Sequence, residues 1–282
     1  MNGGVDHPVT SSGGDIINQS LLRNIIYLCL FASLLILIQT SSYLLLSIWG
    51  MIAIFLYIRS EESGRLFVVT TVFFGIGFYT YLYVITHLLQ EVQSREINIL
   101  LDRLSLVFIL IPLWFLSLLY KAPFIRYIKK PEWNNLMEFP FIWTTGSHHV
   151  KIKVFLAIAF TMNTLAMLPF IVMNGWSSIQ EVFVIAVIFS FTNAILEEFV
   201  WRGALLSRFS EQLGEKWAVV ITSLGFGLQH YSLGFSWLVC IAFSFGGFFY
   251  GVVTVKSKSI IPSIIWHIIL NFLMVFSGLI LK

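Results

Sequence analysis

Hydrophobic length constrains this chain more than any other property. A helix needs about 20 predominantly apolar residues to cross the hydrocarbon of a bilayer. Apolar runs of about that length recur near residues 21–40, 43–59, 66–89, 99–120, 152–174, 180–200, 217–234, 236–255 and 260–281. The composition agrees, at 58% hydrophobic and 11% charged residues. The pattern predicts an all-α fold, a polytopic membrane helical bundle with about eight or nine transmembrane helices, the first two joined by a very short turn at 39–42.

Basic residues set the expected orientation, because Lys and Arg flanking a span tend to stay cytoplasmic. The segment 121–153 carries Lys121, Arg126, Lys129, Lys130, Lys151 and Lys153. The connection after Glu198 carries Arg202, Arg208 and Lys216, and the one after Val255 carries Lys256 and Lys258, whereas the loops 174–180 and 231–235 carry neither Lys nor Arg. The last five spans therefore alternate with all three basic connections on the cytoplasmic side. Carried backwards, the alternation places the amino terminus inside, with Arg95 in an outer loop as the exception.

The chain divides accordingly. Residues 1–20, with their Gly, Ser and Thr, read as a disordered polar cytoplasmic tail; the positive n-region of a cleavable signal is missing. Residues 21–120 are amino-terminal transmembrane helices. Residues 121–150 form a cytoplasmic loop in which Pro123, Pro131 and Pro140, with Trp133, Phe139, Phe141 and Trp143 between basic residues, point to a segment lying along the membrane surface. Residues 151–282 form the transmembrane core that carries the chemistry. Cys29 and Cys240 fall inside apolar runs and read as small buried hydrophobes, with no disulfide implied. The net charge of +3 is positive-inside bias and gives no support to nucleic-acid binding.

An ionisable side chain at the bilayer centre costs at least roughly 2.5 kcal/mol, so one kept there is partnered or used. Glu197 and Glu198 are adjacent in such a run. Spacings of four residues, which share a helix face, join Glu198 with Arg202, Phe226 with His230 and His267 with Asn271. Arg202 can neutralise Glu198 in a structural ion pair. Glu197, turned by about 100° on the helix, remains available. With a cytoplasmic boundary near 207–216, a rise of 1.5 Å per residue puts Glu197 about 15 Å, His230 about 20 Å and His267 about 12 Å along their helices, deep enough to share one cavity. The helix from 180 to 212 would then be about 50 Å long, more than a core of about 30 Å, unless it tilts or protrudes.

A carboxylate with an imidazole can position and deprotonate a water, and a second imidazole with an amide can donate to the oxyanion of a tetrahedral intermediate. The same Glu197, His230 and His267 are also a ligand set for Zn²⁺ with an open water position. Spacing alone leaves both routes open.

The ordered series Glu197-Glu198-x-x-x-Arg202, Phe226-x-x-x-His230 and His267-x-x-x-Asn271 resembles the three motifs of the CAAX prenyl endopeptidase and bacteriocin-processing (CPBP, or Abi) family of intramembrane proteases. The resemblance covers about the last hundred residues. It implies that Glu197 and His230 activate water, that His267 and Asn271 form the oxyanion hole, and that Phe226 packs the motif. It also implies a glutamate-dependent enzyme needing no cofactor, despite the metalloprotease label often attached to the family. The run from Gly246 and Gly247 to Gly251 fits the close helix packing expected there. One departure is that Lys256-Ser257-Lys258-Ser259 precedes Pro262, where Thr-Gly-Ser is common.

The expected activity is hydrolysis of a peptide bond in a membrane-associated protein or peptide, with that substrate and the lipid bilayer as partners; spans one to four could be a scaffold, a substrate-gating unit or a partner-binding surface. The absence of an organelle-targeting signal favours a bacterial cell membrane. Two other functions are compatible with parts of the sequence: a non-catalytic bacteriocin-immunity or scaffold protein of the same fold, and a proton-coupled transporter using Glu197 as relay, although no internal repeat accompanies it. Singly, His230 reads as a packing residue, and His267 with Asn271 as a bond between helices. His87, His148 and His149 have no partner by spacing, and Asp102 with Arg103 at the start of the fourth span read as interfacial.

Overall fold

The computed structural model describes residues 13–139 and 148–281. Its helices are α1 (Gly13–Gln39), α2 (Tyr43–Arg59), α3 (Glu62–Tyr83), α4 (Arg95–Leu104), α5 (Val107–Leu119), α6 (Ile152–Glu198), α7 (Leu206–Leu213), α8 (Glu215–Gln229), α9 (Trp237–Ser257) and α10 (Ile261–Phe276). Two π-helical stretches extend α3 (Val84–Leu88) and join α6 to α7 (Phe199–Leu205), and a short 3₁₀ turn (His230–Leu233) ends α8. By length and composition Gln19–Gln39, Glu62–Leu88, Arg95–Leu119, Ile152–Leu213 and Trp237–Ser257 are apolar enough to cross a membrane, and Tyr43–Arg59 and Ile261–Phe276 are shorter apolar helices. The protein is a polytopic helical bundle.

Two differences from the sequence reading are local. α1 begins at Gly13 rather than after residue 20, since a helix propagates into flanking polar residues once an apolar run has nucleated it. Within the basic loop, β1 (Leu136–Phe139) pairs antiparallel with β2 (His148–Lys151), Leu136 opposite Lys151. Residues 1–12 and Pro140, Phe141 and Trp143 lie outside the described residues.

The 47-residue α6 is two helices joined at Gly175, whose φ of 77° and ψ of 171° lie in a region open to glycine and strained for other residues. The two arms run along α10 in opposite directions. In the first, Phe155 packs on Trp266 and Asn174 donates to the carbonyl of Phe276. In the second, Phe191 packs on Phe272 and Glu198 reaches His267. The expected fifth and sixth spans are these arms; the second continues through the π stretch into α7, so the long helical run expected over 180–212 is present and reaches Leu213.

The three basic connections meet at one end of the bundle. The 3₁₀-free segment after α5 ties them together: Ile128 bridges Ser259, the amide of Ile260 donates to the Tyr127 carbonyl, and Lys258 pairs with Glu132 at 2.9 Å. Arg126 donates its amide to Ser207, and Arg208 donates to the carbonyl of Pro123. The Tyr127 hydroxyl donates to Ser210 or Glu215 at 3.2 Å, and burial pushes it up to about 12, so it stays protonated. The amino-terminal helices pack directly behind the first motif through buried rings: Phe31 and Phe67 on Phe209, Phe74 on Trp201.

α8, which carries the second motif, and α9 approach closely where side chains are absent. A Cβ on Gly227 of α8 would lie 2.2 Å from the Cys240 carbonyl oxygen and 2.6 Å from the Ser244 amide nitrogen of α9, both backbone atoms that cannot swing aside. Gly247 and Gly251 meet α8 at 3.0 Å, whereas Gly246 faces open space. We expect Gly227→Ala to force α8 and α9 apart and destabilise the bundle by about 1–3 kcal/mol, seen as lower folded accumulation and a lower melting temperature in detergent, with Gly246→Ala close to wild type. Equal effects of the two substitutions would show that this approach does not hold the bundle.

Candidate active site

Glu197 and Glu198 are the last residues of α6 before the helix widens into its π stretch, a distortion found often at functional sites. Both carboxylates are buried, as is the Arg202 guanidinium. Arg202 donates to Glu198 Oε1 at 3.0 Å and to the carbonyl of Gly247 on α9 at 2.9 Å. The face of its guanidinium lies 4.3 Å from the Phe226 ring centre and 5.1 Å from that of Tyr250, where the aromatic quadrupoles favour a cation. An ion pair held between a main-chain acceptor and two rings replaces part of the hydration that burial removes.

The third motif closes on the same carboxylate. His267 Nδ1 lies 2.9 Å from Glu198 Oε1, and because an ionised carboxylate only accepts, the proton of that bond belongs to the ring. The opposite edge, Nε2, lies 3.6 Å from Glu197 Oε2. Tyr250 stacks on the imidazole at 5.1 Å. Glu198 thus serves Arg202 and His267 together, a second task that the spacing of Glu198 and Arg202 did not reveal.

Glu197 receives two amide donors instead of a cation. Gln229 Nε2 donates to its Oε1 at 2.9 Å, and Asn193 Nδ2 to its Oε2 at 3.2 Å. His230 begins the turn after α8, where its Nδ1 donates to the Phe226 carbonyl at 2.7 Å and its ring stacks on Phe243 at 4.2 Å, leaving Nε2 as the acceptor edge. No hydrogen bond joins His230 to Glu197 among the described residues; both line one mostly apolar cavity of about 300 Å³ with His267, Asn271 and Phe226. Asn271 is buried and its Nδ2 has no partner among the described residues.

Arg103 also lines this cavity, which corrects its reading as an interfacial residue. It is 3% exposed, donating to Asn193 Oδ1 at 2.9 Å and paired with Asp102 at 2.8 Å. The chain breaks step between α4 and α5 just after it, so an arginine near the start of an apolar run turns inward. Asn193, Gln229 and Arg103 were all missed from sequence. Asn193 stands four residues before Glu197, the same spacing that paired Glu198 with Arg202, and Arg103 is an ionisable residue inside an apolar run; those were the available signals. His87 is exposed at the end of α3, and His149 faces Glu138 at 4.0 Å, both away from the site.

The zinc alternative does not fit this arrangement. Among the described residues no three His, Cys, Asp or Glu side chains are disposed to hold a metal. Glu197 already has amide donors on both oxygens, while the Nδ1 bond of His230 leaves its Nε2 free, so the case against zinc rests on the disposition of the three side chains and on the donors around Glu197. His267 by itself has what a ligating histidine needs, a carboxylate, Glu198, fixing its tautomer.

Removing Arg202 leaves Glu198 charged and buried, which typically costs roughly 3–5 kcal/mol. Arg202→Ala is therefore expected to reduce the amount of folded protein in the membrane, and adding Glu198→Gln, which removes the charge and keeps an acceptor for His267, to restore part of it. Normal accumulation of the single variant would refute the structural pair.

Residues 179–273, a third of the chain, match the family described as type II CAAX prenyl endopeptidase, Rce1-like. No curated protein and no solved structure matches the chain significantly. The matched segment begins within the second arm of α6 and ends in α10, and it contains all three motifs and most of the residues lining their cavity, though not Arg103, Met167, Met274 or Ile280. Over that segment the chain is similar to the Rce1-like type II CAAX prenyl endopeptidases.

Proposed function

We propose that this protein is a glutamate-dependent intramembrane endopeptidase that hydrolyses a peptide bond in a membrane-associated protein or peptide. The observation that carries the reading is the convergence, in one buried cavity, of an amide-oriented carboxylate, Glu197, with an orphaned donor, Asn271 Nδ2, beside His267. A buried N–H without an acceptor costs free energy in the resting protein. Its use is an acceptor that arrives with substrate.

A water in the cavity gives its proton to Glu197 as its oxygen attacks the scissile carbonyl. His230 Nε2, the acceptor edge of a ring whose Nδ1–H is engaged, orients that water. The carbonyl oxygen becomes an oxyanion, stabilised by Asn271 Nδ2 and by His267, which when doubly protonated between Glu197 and Glu198 has an Nε2–H to donate. Glu197 then passes its proton to the departing amine, the C–N bond breaks, and the carboxylate is regenerated. The Asn193 and Gln229 bonds aim Glu197 before substrate arrives, and preorganisation of this kind lowers the cost of reaching the transition state. The apolar lining suits a substrate that approaches from the bilayer.

The test is a cleavage assay on purified protein in liposomes. Glu197→Ala, Glu197→Gln and His230→Ala are expected to abolish hydrolysis while the protein still accumulates, because each removes half of the water-activating pair. Asn271→Ala is expected to lower kcat by about 10²–10³ with little change in KM, the signature of a lost oxyanion donor. Wild-type rates in the Glu197 variants would sink the assignment. Because the donor set does not suit zinc, activity is expected to persist in chelator. Loss on chelation, restored specifically by Zn²⁺, would overturn direct activation by Glu197.

A further inference from the structure

We propose that Arg103 is a positioning residue for Glu197, acting through Asn193, so that a helix outside the matched segment completes the active site. The inference rests on the hydrolytic reading above. Its basis is a continuous chain of bonds across three side chains. Arg103 donates from one guanidinium nitrogen to Asn193 Oδ1 at 2.9 Å, and Asn193 Nδ2 donates to Glu197 Oε2 at 3.2 Å.

The direction of that chain matters. A guanidinium has only donors, so it can bond Asn193 solely through the carboxamide oxygen, which turns the amide NH₂ toward Glu197. Without Arg103 the amide is free to flip and present its oxygen to the carboxylate, repelling the group it now holds. Arg103 therefore fixes the sense of a side chain that is otherwise nearly symmetric. It also brings a buried positive charge to the same side of Glu197, on which no arginine or lysine forms a direct ion pair among the described residues.

Arg103 is itself held. Asp102 pairs with its second nitrogen at 2.8 Å, and the Tyr81 hydroxyl of α3 accepts from that nitrogen at 3.3 Å. The ring of Phe189, one turn before Asn193 on α6, lies 5.8 Å from the guanidinium carbon. Three elements of the bundle thus meet at one cation: α3 through Tyr81, α4 through Asp102 and Arg103, and the second arm of α6 through Phe189 and Asn193. A residue that only neutralised Asp102 would not need to reach across to the carboxamide bound to Glu197.

The experiment compares full-length wild type with Arg103→Met, Arg103→Lys, Asn193→Leu and the Arg103→Met/Asn193→Leu double variant, with Glu197→Ala as reference. The probe is a lipid-anchored CAAX peptide in liposomes, and the fold is followed by melting temperature. Arg103→Met and Asn193→Leu are each expected to lower kcat roughly 10- to 100-fold with KM within about threefold, as misplacement of a reacting group does. The double variant should be no worse than the lower single, since both break one chain, and Arg103→Lys should recover part of kcat. Multiplying effects in the double variant, or a rise in KM with kcat unchanged, would overturn the proposal; the second outcome would make Arg103 a substrate contact. If Arg103→Met fails to fold, Asp102→Asn added to it removes the unpaired carboxylate, and Asn193→Leu tests the chain with both charges intact.

A readout independent of turnover separates the two readings. The Glu197 carboxylate bands, isolated as the infrared difference between wild type and Glu197→Gln, are expected to move in Arg103→Met and in Asn193→Leu. Unmoved bands refute the link from Arg103 to Glu197 even if the protein is a protease. Moved bands with an active Glu197→Ala retain the link and refute the hydrolytic reading.

Discussion

A charged cluster buried in an apolar bundle holds this structure's site together. Glu198 lies at its centre, taking hydrogen bonds from Arg202 on its own helix and from His267 on α10. Arg202 in turn reaches the Gly247 carbonyl of α9 and lies against Phe226 of α8. In hydrocarbon no water competes for these groups, so each fixes the position of the others. Replacing one partner strands the rest, which is why a buried pair is costly to break even where it adds little net stability. The three motifs, on α6, α8 and α10, are joined with α9 at this one cluster.

That arrangement frees Glu197 for a different task. Its neighbours are amides, which orient a carboxylate without capturing it as an ion pair would. Two adjacent glutamates consequently have opposite environments, one taking a guanidinium and an imidazole donor on the same oxygen, the other held by neutral donors at the wall of a cavity. The division follows from their helical rotation: Glu198 turns toward α9 and α10, and Glu197 toward the space beside α8 and α4. The π stretch immediately after them changes the register for Trp201 and Arg202, so that Trp201 packs into the rings of α1 and α3 while Arg202 faces the site.

The close helix contacts serve the same geometry. Gly227 lets α9 approach α8 to backbone contact, which brings Phe243 over His230 and Gly247 within reach of Arg202. At the basic end, the segment after α5 laces the connections around Ser207 and Ser259 together and thereby fixes the start of α10. Departure from the common pattern before Pro262 leaves this junction intact: Ser257 Oγ donates to the Ser259 carbonyl, and Pro262 stands in the first turn, where a missing N–H costs nothing.

Hydrophobic length by itself determined the helical, multi-pass character of this protein, because a bilayer imposes one dimension that a sequence reports directly. Spacings of four residues likewise announced Glu198 with Arg202, Phe226 above His230, and His267 near Asn271, since helical periodicity converts sequence distance into direction. Only the tertiary structure decided which group answers which across helices. That His267 bonds Glu198, that Gln229 and Asn193 hold Glu197, and that Arg103 turns inward from the fourth span all depend on crossing angles and on the break at Gly175. Apolar runs carry no record of their neighbours, because lipid and a packed helix face accept the same residues; the polar contacts between helices therefore emerge only once the bundle is assembled.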